Sequence, residues 1–106
     1  MVYALNVFNL LAGKENLYRE YSVKAGKIIY AKGGKVISSA WNPIRKLKGD
    51  IERRYMIVVE FPSEEIFNNF LQEAENQNIH KLRESSTKDY IWTLYENWKI
   101  KAWVQE

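Results

Sequence analysis

Three stretches of this chain, residues 2–9, 55–61 and 90–96, read as β-strands that are apolar on both faces. Successive strand residues point to opposite sides of a sheet, so a strand with one wet side alternates apolar with polar. In the first stretch Tyr3, Leu5 and Val7 share one side and Val2, Ala4 and Phe8 the other, with only Asn6 interrupting the second. Residues 55–61 are almost continuously apolar. A sheet built from such strands must be covered twice, and that requirement limits the folds open to the chain.

The intervening segments supply one cover. Between residues 14 and 32 the positions Leu17, Tyr18, Tyr21, Ala25, Ile28 and Ile29 form a helical stripe, and Gly33-Gly34 offers the left-handed residue on which helices commonly end. Residues 35–42 read as a second strand closed by Pro43, followed by a polar, Arg- and Lys-rich loop over 44–53 with a turn at Gly49-Asp50. Pro62-Ser63-Glu64-Glu65 marks a second helix start, with Ser63 as cap and two carboxylates at the positive end of the helix dipole. Its stripe is Ile66, Phe67, Phe70, Leu71 and Ala74; Asn76-Gln77-Asn78 interrupts it before a short turn with Ile79, His80, Leu82 and Arg83, and the polar residues 84–89 end that turn. Trp98, Ile100, Ala102 and Val104 alternate opposite Lys99 and Lys101, which predicts an extra C-terminal strand or arm over 98–106.

The order is therefore βαββαβ plus a tail, expected to form one α+β domain over residues 1–106. Right-handed crossovers place both helices on one face of an antiparallel sheet, the ferredoxin-like arrangement. The other face stays bare. An exposed apolar patch of that size is unusual on a monomer, so a homodimer that packs sheet on sheet is expected.

Composition narrows the chemistry. There is no cysteine and one histidine, which excludes thiol catalysis, thiolate metal sites and any multi-histidine metal site within one chain. No apolar run approaches the roughly 20 residues of a membrane span, and the opening Met1-Val2-Tyr3-Ala4-Leu5-Asn6 lacks a secretory pattern, so a cytoplasmic protein without membrane attachment is expected. The net charge of +3 is a modest basic excess.

Tyr18 and Tyr21, Gly33-Gly34-Lys35, Gly49-Asp50, Glu60-Phe61-Pro62-Ser63, Gln77 and Leu82-Arg83-Glu84-Ser85 occur in an order and spacing that resembles the family known as domain of unknown function 1330. The resemblance spans roughly residues 1–97 and implies a dimeric α/β barrel, in agreement with the strand argument. It implies no reaction. The chain departs from the family pattern at Asn76, where an aromatic residue is usual, and at Phe70, where tryptophan is common.

Asn6 is the most informative polar residue, because an amide among apolar strand positions must find hydrogen-bond partners. It serves either a ligand or a neighbouring backbone or dimer seam. His80 and Arg83, three apart, would share one helix face, where His80 suits acid–base work and Arg83 suits a carboxylate, unless they are an exposed turn residue and a structural ion-pair partner. Haem-degrading monooxygenases of related fold use a strand-one asparagine, a helix tryptophan and a histidine iron ligand, and Asn6, Phe70 and His80 are similar in placement. Tyr18, Tyr21, Tyr55, Trp41 and Trp92 either line a cavity or pack a core; Tyr21 is the best candidate for the former because its hydroxyl needs a buried partner.

The basic residues Arg45, Lys46, Lys48, Arg53 and Arg54 raise RNA binding, and residues 2–7 resemble the first strand motif of RNA-recognition domains. Residues 54–59 lack the glycine and the base-stacking aromatics of the second motif, so nucleic acid is not the expected partner. The expectation is thus a small-molecule-binding protein or a cofactor-independent enzyme of oxygenase or isomerase type, with no cofactor and a small anionic or aromatic ligand contacted by Asn6, Tyr21, His80 and Arg83. His80 and Asn6 are the catalytic candidates. The alternatives are a haem-degrading monooxygenase-like protein and a non-catalytic RNA-binding or structural dimer module.

Overall fold

The computed structural model describes residues 1–105. Strand β1 (Val2–Leu10) leads to helix α1 (Glu15–Ala31), strands β2 (Lys35–Trp41) and β3 (Tyr55–Phe61), helices α2 (Glu64–Asn76) and α3 (His80–Ser86), strand β4 (Thr87–Glu96) and a single turn α4 (Lys101–Val104). The four strands form one antiparallel sheet in the order β2-β3-β1-β4. This is the α+β, ferredoxin-like arrangement.

Local chemistry sets the boundaries. Helix α1 ends where Gly33, at φ +83°, turns the chain so that the Gly33 and Gly34 amides bond back to the Tyr30 and Ile29 carbonyls. A side chain at Gly34 would meet the Glu60 carbonyl at 3.0 Å, so glycine also lets the start of β2 close on β3. Helix α2 begins as its sequence suggests, with the Ser63 hydroxyl accepting from the Ile66 amide at 3.1 Å and Glu64 and Glu65 in its first turn. Asn78, at φ +59°, separates it from α3.

The core lies between helices and sheet. Tyr21, Ala25, Ile28 and Ile29 of α1 and Phe67, Phe70 and Ala74 of α2 bury against Ala4, Phe8, Val59 and Phe61. The register puts Asn6, Ile57 and Trp92 side by side on this covered face, and Val7, Met56 and Ile91 side by side on the other. That other face, with Tyr3, Leu5, Val58 and Tyr95, has no cover among the described residues; Ile91 is 46% and Tyr95 51% exposed.

Two expectations need correction. Strand β4 begins at Thr87, three residues before the expected Tyr90, and an extra residue bulges where the Val7–Ile91 pairing gives way to Asn9–Lys88, with Asp89 at φ +56°. The expected extra strand at 98–106 is absent among the described residues: the segment turns into α4 and sets the Trp98 and Trp103 rings edge to face at 5.6 Å. Four alternating residues do not make a strand without an edge to bond to. The tail finds none, and its described residues stay exposed.

Candidate functional site

A cavity of about 90 Å³ lies between α1 and the sheet. It exists because Ala4, Ala25 and Gly26, all small, face it across the core. Its remaining wall includes Asn6, Tyr18, Tyr21, Ile57, Phe70, Tyr90 and Trp92.

Asn6 is only 6% exposed and is satisfied by the protein itself. Its Oδ1 accepts from the Tyr90 hydroxyl at 2.6 Å, and its Nδ2 donates to the Ala4 and Ile57 carbonyls, each at 3.3 Å. The backbone reading is therefore met, together with a partner that sequence reasoning missed. Tyr90 lies 84 positions away, and only the β1–β4 pairing brings it to the amide. Burial, reinforced by the neighbouring phenols, pushes the Tyr18 and Tyr90 hydroxyls well above the usual tyrosine range. Near neutral pH both are neutral donors, not bases.

Arg83 projects from α3 against three rings of the cavity wall. Its guanidinium carbon is 4.8 Å from the Trp92 ring centre, 5.5 Å from that of Tyr90 and 5.8 Å from that of Tyr21. Among the described residues the ion pairs are Lys24–Glu20, Lys35–Glu60 and Arg54–Glu52, so Arg83 has no carboxylate partner and the ion-pair reading is not met. The Ser86 and Thr87 hydroxyls donate to the Arg83 carbonyl and fix its turn of helix.

Two buried nitrogens are orphaned among the described residues, Trp92 Nε1 and His80 Nδ1. Trp92 lines the cavity and His80 does not. The structure thus gathers Asn6 and Tyr21 into one wall and leaves both Arg83 and His80 outside it, with Arg83 packed against three of the wall's rings. Trp41 and Tyr55 belong to a separate open cleft of about 280 Å³ that shares Tyr18 and Ile57 with the cavity. There Trp41, Tyr55, Phe8 and Tyr90, one ring from each strand, lie nearly parallel at successive separations of 6.3, 5.5 and 4.8 Å.

The basic loop is open to solvent at Arg45, Lys46 and Lys48, while Arg53 donates to the Asp89 carbonyl and Arg54 pairs with Glu52 and Asn42. No three of His, Cys, Asp and Glu cluster as metal ligands among the described residues. No helix among them is long and apolar enough to cross a membrane.

Residues 3–95 match the family model described as Domain of unknown function (DUF1330). No curated protein matches. The fold is similar to that of a protein of unknown function, RPA0582 of Rhodopseudomonas palustris, at TM-score 0.76 and 17% identity over 92% of this chain and 82% of that one. It is also similar to SnoaB, a cofactor-independent oxygenase of Streptomyces nogalater, at TM-score 0.61 and 8% identity over 92% of each chain. A dabb family protein with a ferredoxin-like fold from Mesorhizobium loti aligns at TM-score 0.58 and 15% identity, over 92% of this chain and 96% of its own.

Proposed function

This chain belongs to the DUF1330 family, and from that premise we propose that it is a cytoplasmic homodimer whose subunits each bind a small molecule in the cavity beneath α1, as a binding protein or a cofactor-independent enzyme. The observation that carries the proposal is the unpaired Trp92 N–H in the wall of that cavity. A buried donor without an acceptor costs about 1–3 kcal/mol, and a bound ligand is the natural source of the missing acceptor. The bare apolar face supports the dimer. Two copies joined by a two-fold axis through that face would cover it without touching the cavity, which opens on the opposite side of the sheet.

Asn6, Tyr21 and Arg83 are the proposed ligand-contacting residues, with Trp92 added to them. Arg83, outside the wall, enters the proposal through the rings it packs on; His80, also outside, holds no contact in it, and the Asn6 donors are already engaged, so neither His80 nor Asn6 is kept as a catalytic candidate. Haem degradation fits less well: Asn6 and Phe70 line the cavity, but His80, the residue that would ligate iron, does not, and a porphyrin is far larger than about 90 Å³. SnoaB shows that a fold of this kind can carry oxygenation without a cofactor, and supports that reaction type by analogy alone.

Native mass spectrometry of the full chain purified from its own host tests both parts. A dimer with a bound small molecule is expected. Gly26→Leu should abolish that mass, because a Cβ at Gly26 meets nothing within 4 Å and the longer side chain would fill the cavity. A monomer would overturn the dimer, and a ligand that Gly26→Leu leaves in place would overturn the cavity as its site.

A further inference from the structure

The class of ligand follows from what the cavity wall can and cannot offer, an inference that rests on the binding reading above. No Asp or Glu lines the cavity. The Asn6 amide spends its donors on two backbone carbonyls and receives the Tyr90 proton. The Tyr18, Tyr21 and Ser22 hydroxyls of the wall can donate or accept; the Trp92 N–H donates only and has no partner among the described residues, and against the wall's rings lies Arg83, which also donates only and carries a permanent charge. The guanidinium lies against the Trp92 ring, next to the cavity but not among its lining residues.

A cationic ligand would meet an uncompensated charge there, and a purely apolar one would leave the N–H unpaired. We infer that the cavity takes a small organic carboxylate on a compact apolar body, one oxygen accepting from Trp92 Nε1 and the Arg83 guanidinium supplying the counter-charge. The three rings around Arg83 hold the guanidinium while displacing the water that would otherwise weaken its attraction to the anion. The apolar remainder of the ligand would lie against Ala4, Ala25 and Ile57. Size limits that body: about 90 Å³ is smaller than the ~150 Å³ apolar cavity known to admit benzene, so a short branched chain fits better than a ring.

The probes are matched pairs of equal shape, 2-methylpropanoate with its amide and benzoate with benzamide, titrated calorimetrically into the full-length protein after removal of any bound ligand. 2-Methylpropanoate should bind tightest, with each carboxylate preferred to its amide by about 10- to 100-fold. Arg83→Met should erase that preference, and Trp92→Phe, which keeps the ring and loses the N–H, should weaken carboxylate binding about tenfold. Arg83→Lys keeps the charge without the planar fork and should fall in between, providing a second readout if Arg83→Met does not fold. Equal binding of acid and amide, a preference that survives these substitutions, or no binding of any probe would overturn the carboxylate assignment. If carboxylates bind with the expected preference but Gly26→Leu has no effect, the cavity itself is overturned as the site. Loss of both acid and amide binding in Gly26→Leu supports the two readings together.

Discussion

The two faces of β1 have opposite fates. Ala4, Asn6 and Phe8 are 1%, 6% and 0% exposed beneath the helices, whereas Tyr3, Leu5 and Val7, a more apolar trio, are only partly buried on the bare face. The helices therefore do not sit on the stickier side. They sit on the side where small residues leave a cavity and an amide can bond to Tyr90. The chain's own helices build a pocket, while the more uniform apolar surface is left uncovered.

Four substitutions test that division. The largest expected effect is on the covered face: Phe8→Ala, at a fully buried ring stacked between Tyr55 and Tyr90, should cost about 3–5 kcal/mol in urea unfolding. A loss below about 1 kcal/mol would show that this face does not hold the fold. On the bare face Val58→Lys should leave a folded protein with its ligand, yet raise the dimer dissociation constant at least about 100-fold, equivalent to about 2.7 kcal/mol, by sedimentation. An unchanged dimer would move the interface elsewhere.

Tyr90→Phe removes one hydrogen bond from Asn6 and should cost about 1–3 kcal/mol with no change in assembly. The same phenol predicts an alkaline limit. Unfolded tyrosines ionise near pH 10, but folded Tyr18 and Tyr90 keep their protons to higher pH. The unfolded state then binds fewer protons than the folded one, so the stability these phenols provide is fully present below about pH 10 and is lost as pH rises beyond it. Unfolding midpoints measured from pH 8 to 11 should show a fall that Tyr90→Phe makes shallower. Smallest of all, Ser63→Ala should cost about 1 kcal/mol through the lost α2 cap and leave dimer affinity alone.

Much of this fold can be read along the chain because its signals are local. The span Tyr55–Phe61 is apolar without a break long enough to mislead, Ser63 announces its helix, and Gly33 ends another. Signals failed where partners decide. Trp98, Ile100, Ala102 and Val104 alternate like a strand but have no neighbour to bond, while polar Thr87 and Lys88 join β4 because β1 offers them one. At the site, Asn6, Tyr21 and Arg83 stand out by type and spacing. That Tyr90 bonds Asn6, and that three rings rather than a carboxylate surround Arg83, depends on contacts between distant parts of the chain.

The bulge in β4 sets the phase of everything before it. Strand side chains obey an odd–even rule, and the residue inserted at Asp89 switches the parity of β4 once. Before the switch Thr87 stands opposite Leu10 and is buried; were Asp89 to pair with Asn9 instead of bulging, Lys88 would take that place and its ammonium would be driven into the core. Asn9 and Arg53 both bond to Asp89, so the switch is anchored from β1 and from the β2–β3 loop. The bulge thus behaves like a checksum: losing it without losing a residue exchanges inside for outside along the first part of the strand, whereas deleting Asp89 itself keeps Thr87 opposite Leu10, and the exposed tail can change length without disturbing any pairing.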